Sequence, residues 1–204
     1  MIGSGKVAQG RHIPRLQKIP DVHISHAWSR TKGVAESAAK DFGIPNVVNN
    51  WKEIVDSPDI DAVVITAPPV LHMPATLAAL DSGKHVLCQA RMARNLSEAR
   101  VMFEASEDTD LVTTLYPPVP GLKGDRVMQR LLHDEGYVGD VLDVHITAIS
   151  PAIPEAGGWQ VDPQIAGVNT MTLGILAEVF NQWVGPARSV SASSANHPRL
   201  FLSR

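Results

Sequence analysis

The chain has 204 residues, 44% of them apolar, enough to bury a core in one large domain or in one domain and part of another. Its formal net charge of −3, with signs interspersed, offers no basic footprint for nucleic acid and no polybasic patch for a membrane surface. The single cysteine, Cys88, excludes an intrachain disulfide and suits a cytoplasmic protein, and no apolar run is long enough to cross a bilayer.

Gly3-Ser4-Gly5-Lys6-Val7-Ala8 reads as a dinucleotide-binding turn. The first glycine permits a tight bend, the second lets a pyrophosphate approach bare backbone, and Ala8 lets the next helix sit close to a sheet. A helix beginning there aims free N–H groups and the positive end of its dipole at phosphates. Such a turn should follow a buried parallel strand, yet Met1 and Ile2 alone precede it. The first strand is therefore expected to be missing, as in a fragment of a longer gene or a chain whose start lies upstream.

Residues 6–19 carry apolar side chains at roughly helical spacing, with Pro14 expected to kink the helix or delay its start. Residues 22–29 alternate as a strand. Residues 31–42 form a helix stopped by Gly43 and Pro45, 47–48 a short strand, and 51–57 a short helix. Residues 61–66 (DAVVIT) read as a strand buried on both faces, followed by a helix over 73–82 and a second buried strand over 85–88. Asn95 opens a helix to about residue 106, and 111–115 is the next strand. Strands and helices alternating in this way imply an α/β fold with a doubly wound, parallel, Rossmann-type sheet. Ligands on such sheets sit at the carboxyl ends of the strands.

After three prolines near residue 118, a helix is expected over 125–134. A strand with one wet face follows over 141–149, then a Pro- and Gly-rich loop over 151–158, a helix over 169–183 and a strand over 188–193. We assign 1–120 to a dinucleotide-binding domain and 121–204 to part of an α+β domain with an open, mainly antiparallel sheet.

The candidate ligand contacts lie just past the strands. Gly3, Ser4, Gly5, Lys6 and Val7 are placed along a pyrophosphate. Ser29 and Arg30 stand where an acidic residue would normally hold the adenosine ribose; a hydroxyl and a guanidinium suit a 2′-phosphate and favour NADP over NAD, although a solvated strand end gives the same pair. Thr66, Ala67, Pro68 and His72 follow one buried strand, and His72 either touches a ligand or caps and packs a helix. Gln89 and Arg91 follow the next. Cys88 reads as a small buried hydrophobe, with no base beside it. Asn169 and Thr172 share a helix face and either contact a substrate or, for Asn169, cap the helix. No histidine has metal-ligand spacing, so no metal is expected.

In order and spacing these motifs resemble the glucose–fructose oxidoreductase / inositol dehydrogenase / rhizopine-catabolism (Gfo/Idh/MocA) family. The matching residues are Gly3-Ser4-Gly5 with His12-Ile13-Pro14, Ser29-Arg30, 61–66 with Pro68-Pro69 and His72, 83–88, Met92-Ala93 with Asn95-Leu96 and Glu98-Ala99, and 136–139. The resemblance implies an NAD(P)-binding Rossmann domain, a second domain whose open sheet mediates homo-oligomers, and oxidation or reduction of sugars, polyols or related small molecules. It also exposes departures. The family's Glu-Lys-Pro becomes Gln89-Ala90-Arg91, so the catalytic lysine is Ala90. Aligned on Gly174, its aspartate is Thr172 and its proton-moving histidine is Leu176. Two explanations follow: a rebuilt site using Arg91 and Asn169, with Tyr116 a further candidate, or a non-catalytic dinucleotide-binding regulator.

Overall fold

A computed structural model describes residues 1–116, 124–147, 158–167 and 171–193. The chain divides into two compact units. One holds Met1–Pro120 with Ile149–Met171; the other holds Gly121–Ala148 with Thr172–Arg204.

The first unit is built on parallel strands. β1 (His26–Ala27) pairs with β2 (Asn46–Val47), and β4 (His85–Gln89) lies between β3 (Ala62–Ile65) and β5 (Thr113–Tyr116). The two groups are joined by two residues. Ile2 forms parallel bridges to Trp28 on one side and Ile65 on the other. Its N–H donates to Val64 O at 2.8 Å and its carbonyl accepts from Thr66 N at 2.8 Å, while Met1 O accepts from Trp28 N at 3.0 Å. The order is thus β2-β1-Ile2-β3-β4-β5. The slot left empty in the sequence-based expectation is filled by Met1–Ile2. Successive strand residues point to opposite faces, so this short piece serves both cores. Met1 packs with Ala8, Ile13, Ala27 and Ile44, whereas Ile2 packs with Ile54, Val55, Val63, Ile65 and Val86.

The helix after the Gly3–Gly5 turn runs from Lys6 but changes register. Residues Ala8–His12 form a π-helix, and the Ile13 N–H donates to Ala8 O, five residues back. Pro14 then falls in the first turn of α1 (Ile13–Leu16). The wide turn places Pro14 where its missing N–H and its ring are tolerated. α2 (Lys32–Phe42) ends on Gly43 at φ +67°, where the left-handed conformation favours glycine. α3 (Lys52–Asp56) leads to β3; a 3-10 turn over Pro69–Leu71 leads into α4 (His72–Asp81). α5 (Leu96–Glu107) begins at Asn95, whose side chain accepts from the Glu98 N–H at 3.0 Å.

Two expectations are corrected here. The strand expected over 22–29 is reduced to β1, because its partners on either side offer only two or three residues to pair with. The loop read over 151–158 lies outside the described residues up to 157, and beyond it stand a 3-10 turn (Trp159–Val161) and α7 (Pro163–Ala166), packed in the first unit. Among the described residues of the second unit, neither 141–147 nor 188–193 is a strand. Alternation alone makes no strand; an edge to pair with is needed, and few strands rarely stand alone. The helical elements among that unit's described residues are α6 (Asp125–Gln129), a π turn over Arg130–Asp134, and α8 (Met171–Val184). The buried Asp125 accepts from Trp183 Nε1 at 3.1 Å.

Three buried basic groups share one sign. Burial pushes the Met1 α-amine down to about 5, and it lowers His12 and His72 from the usual imidazole value. A group with a depressed folded pKa is protonated first in the unfolded chain, so its contribution to stability is complete above the unfolded value and lost as pH falls toward the folded one. Stability of this chain is therefore expected to drop between pH 8 and pH 5, by an amount on the order of a few kcal/mol at about 1.4 kcal/mol per pKa unit. Thermal melts across that range check it; a melting temperature constant from pH 8 to pH 5 contradicts it.

Candidate functional site

Gly3 stands at φ +94°, a conformation that side chains rarely adopt. A Cβ there would lie 2.7 Å from both Ala67 Cα and Thr66 C. The Gly3 N–H donates to Trp28 O at 2.8 Å, and the Thr66 hydroxyl donates to Gly3 O. The turn is thus held between the carboxyl ends of β1 and β3. Gly5, in contrast, meets no atom within 4 Å of a built Cβ, and Lys6 and Val7 are exposed. Bare backbone faces open space at Gly5, and the first N–H groups of the helix have no partner within it. This cradle fits the pyrophosphate of a dinucleotide, with an open approach rather than a packed one.

Ser4 is fully buried and belongs to the frame of the turn. Its N–H donates to Ser29 Oγ at 2.9 Å, the two hydroxyls are 2.8 Å apart, and its carbonyl accepts from Gln9 Nε2 at 2.8 Å. Ser29 is therefore turned toward the glycine loop, whereas its neighbour Arg30 is exposed. The pair treated alike on sequence divides into a positioning hydroxyl and an accessible guanidinium.

At the end of β3, Ala67 is buried and Pro68 is half-buried ahead of the 3-10 turn. His72 is buried beneath them. Its Nε2 lies 2.7 Å from Ala67 O, and its Nδ1 lies 2.7 Å from Arg91 O and 3.3 Å from Met92 O. The ring clamps the loop after β3 to the loop after β4. Burial lowers its pKa, the three carbonyls work against that shift, and the Arg91 charge adds to it. His72 is buried and positions backbone here.

Gln89 ends β4 and is half-buried, with Ala90 and Arg91 beyond it. Arg91 is likewise half-buried, and burial lowers its pKa. Two residues absent from the sequence-based candidates join this end of the sheet. His12, buried on the π turn, meets the Tyr116 ring edge-on, centroids 4.8 Å apart and planes at 72°. Arg94 binds the Glu98 carboxylate, donating from Nε at 2.9 Å and from its own N–H at 3.1 Å, and Nη1 donates to Gln164 O at 3.0 Å. Gly167, at φ +70°, packs so closely that a Cβ would be 2.6 Å from Arg94 Cα. Arg94 thereby ties the 158–167 segment to the loop after β4. No helical phase in the sequence marks His12; for Arg94 the signal was its pairing four residues from Glu98.

Thr172 lies in α8, and the structure describes its backbone only; Asn169 lies outside the described residues. Among the described residues there is no group of three or more His, Cys, Asp or Glu placed to hold a metal, and no helix is long and apolar enough to cross a membrane.

A parallel sheet in this order, with a glycine turn between the carboxyl ends of its central strands, defines a dinucleotide-binding Rossmann unit. Residues 1–116 match the oxidoreductase family with an NAD-binding Rossmann fold known as Gfo/Idh/MocA, and the chain belongs to that family. It is 30% identical over 133 residues to levoglucosan dehydrogenase of Pseudarthrobacter phenanthrenivorans, covering 64% of this chain and 31% of that protein. It is 31% identical over 168 residues to 1,5-anhydro-D-fructose reductase of Ensifer adhaerens, covering 82% and 50%. A solved levoglucosan dehydrogenase in complex with NADH and levoglucosan shares the fold, with a TM-score of 0.68 and 22% identity over 90% of this chain and 53% of that one. The matches thus span about half or less of these relatives.

Replacing Gly3 with Ala is expected to destabilise the unit by more than about 2 kcal/mol, from the left-handed backbone and the contact with Ala67 together. Denaturant unfolding of Gly3→Ala measures this; a stability equal to that of the parent chain contradicts the packing described.

Proposed function

We propose that this chain carries the cofactor-binding part of an NAD(P)-dependent oxidoreductase acting on a sugar, a polyol or a related alcohol or carbonyl compound. The observation that carries the reading is the Gly3–Gly5 turn, rigidly held at Gly3 and open at Gly5. Family membership and relatives named as sugar dehydrogenases and reductases support it. In this reading Gly3 and Ser4 shape the turn, while Gly5, Lys6 and Val7 line the pyrophosphate. Ser29 fixes the loop and Arg30 reaches the adenosine end. Thr66, Ala67, Pro68 and Gln89 form the nicotinamide half, with His72 holding the two loops around it together. The nicotinamide, when bound, accepts or gives a hydride at carbon.

The protein must then bind the substrate and handle its hydroxyl proton. Ala90 and Leu176 cannot move a proton, and Thr172 is a poor acid or base. Arg91 remains cationic at neutral pH and suits polarising a carbonyl or holding an acid group. On the family pattern, Asn169 and Thr172 are further substrate-contact candidates, carried by sequence alone. The same replacements favour a second reading, a dinucleotide-binding protein that does not turn over. Steady NAD(P)H formation with any member of a polyol and sugar panel would dispose of it.

Because Ser29 is engaged by Ser4, the choice between cofactors falls on Arg30. Fluorescence titration is expected to give saturable binding, tighter for NADPH than for NADH. Arg30→Ala should weaken NADPH roughly tenfold, the loss of about one charge-assisted contact, and leave NADH unchanged. Gly5→Val should keep the fold, since its side chain enters open space, and abolish binding of both. Unchanged binding in Gly5→Val would overturn the reading.

A further inference from the structure

His12 and Gln89 come from different elements and meet at the carboxyl end of the sheet. His12 Nε2 and Gln89 Oε1 are both buried, and neither completes a hydrogen bond. The Gln89 side chain is nonetheless the group near enough to His12 to oppose the lowering of its pKa, which comes first from burial and then from the Arg15 and Arg11 charges on the same helix. On the β5 side the ring is met by Tyr116. Burial disfavours the imidazolium, and the neutral ring has one N–H to give. An oxygen acceptor beside a ring nitrogen leaves one productive pairing, Nε2–H to Oε1. The π turn supports this assignment independently: without the extra residue per turn ahead of Pro14, His12 would be rotated off this face.

We propose that His12, as its Nε2–H tautomer, is a positioning residue that fixes the Gln89 carboxamide with its NH2 group presented to an oxygen acceptor of the bound molecule. This rests on the dinucleotide-binding reading for the identity of the ligand, a hydroxyl or carbonyl oxygen of the cofactor or substrate, but not for the pair itself. A carboxylate at position 89 can only accept, and it would draw a second proton onto His12. Glutamine turns this corner from an acceptor into a donor. With Ala90 unable to donate through its side chain, Gln89 and Arg91 are the donor side chains on either side of it.

The test uses the full chain labelled with 15N histidine, with the His12 resonance assigned from a His12→Phe variant. At pH 7 the ring is expected as the Nε2–H tautomer. Gln89→Glu should raise the His12 pKa by at least one unit and make NADPH and NADH binding depend on pH. His12→Phe keeps the edge contact with Tyr116, so its melt should resemble the parent's. Its Gln89 side-chain amide signals should move, and dinucleotide binding should weaken about tenfold. An Nδ1–H tautomer, or a His12 titration unmoved by Gln89→Glu, overturns the pair. If the parent chain binds neither dinucleotide, the functional reading fails, while the tautomer and titration still decide the pair.

Discussion

Ile2 is bridged to the strands on both sides of it, and the rest of the first unit depends on that. Its N–H and carbonyl reach β3, Met1 reaches β1, and the side chains of the two residues enter opposite cores. Without this seam β1–β2 and β3–β4–β5 would be separate sheets, each too small to stand alone. The seam also delivers Gly3 to the gap between Trp28 and Ala67. The close approach that forbids a side chain at Gly3 is the same approach that aims the following backbone outward at Gly5. Position in the sheet and capacity to bind are therefore one constraint.

Around this turn, the polar groups divide into frame and surface. Ser4, Ser29, Thr66 and His72 spend their hydrogen bonds on backbone or on one another, fixing where the strands end. Arg94 and Glu98 do the same for the loop beyond β4, where the Arg94 guanidinium holds the Glu98 carboxyl below the usual carboxylate range. Gly5, Lys6, Val7 and Arg30 are left accessible. The accessible part of the turn is thus mostly backbone and cation, chemistry that suits the phosphate-bearing partner proposed for it.

Much of this was legible in the sequence. The strand read over 61–66, the Asn95 cap and the glycine stop at 43 each have a local cause, and each is found, the strand over 62–65 with Val63 and Ile65 buried and Ala62 exposed. The positions just past β3 and β4 follow from the parallel topology. What was not legible depends on partners distant in the chain. The π turn is a response to Pro14 that also brings His12 toward Gln89 and Tyr116, and no period in the sequence announces it. Ser29 differs from Arg30 only because Ser4 is opposite. The alternation over 141–147 has a strand's pattern without a strand's pairing. α7 lies in a stretch too short and too rich in Pro and Gly to show helical periodicity.

The central claim is that the Gly3–Gly5 turn, seated by Ile2, is where a dinucleotide binds. Backbone amide shifts followed by NMR during titration with NADPH test it most directly. The account predicts that Gly5, Lys6 and Val7 move most, with saturation, while the Ile2 and Gly3 amides, already bonded to Val64 and Trp28, move little. Saturable shifts centred elsewhere, or none at these three amides, would contradict it.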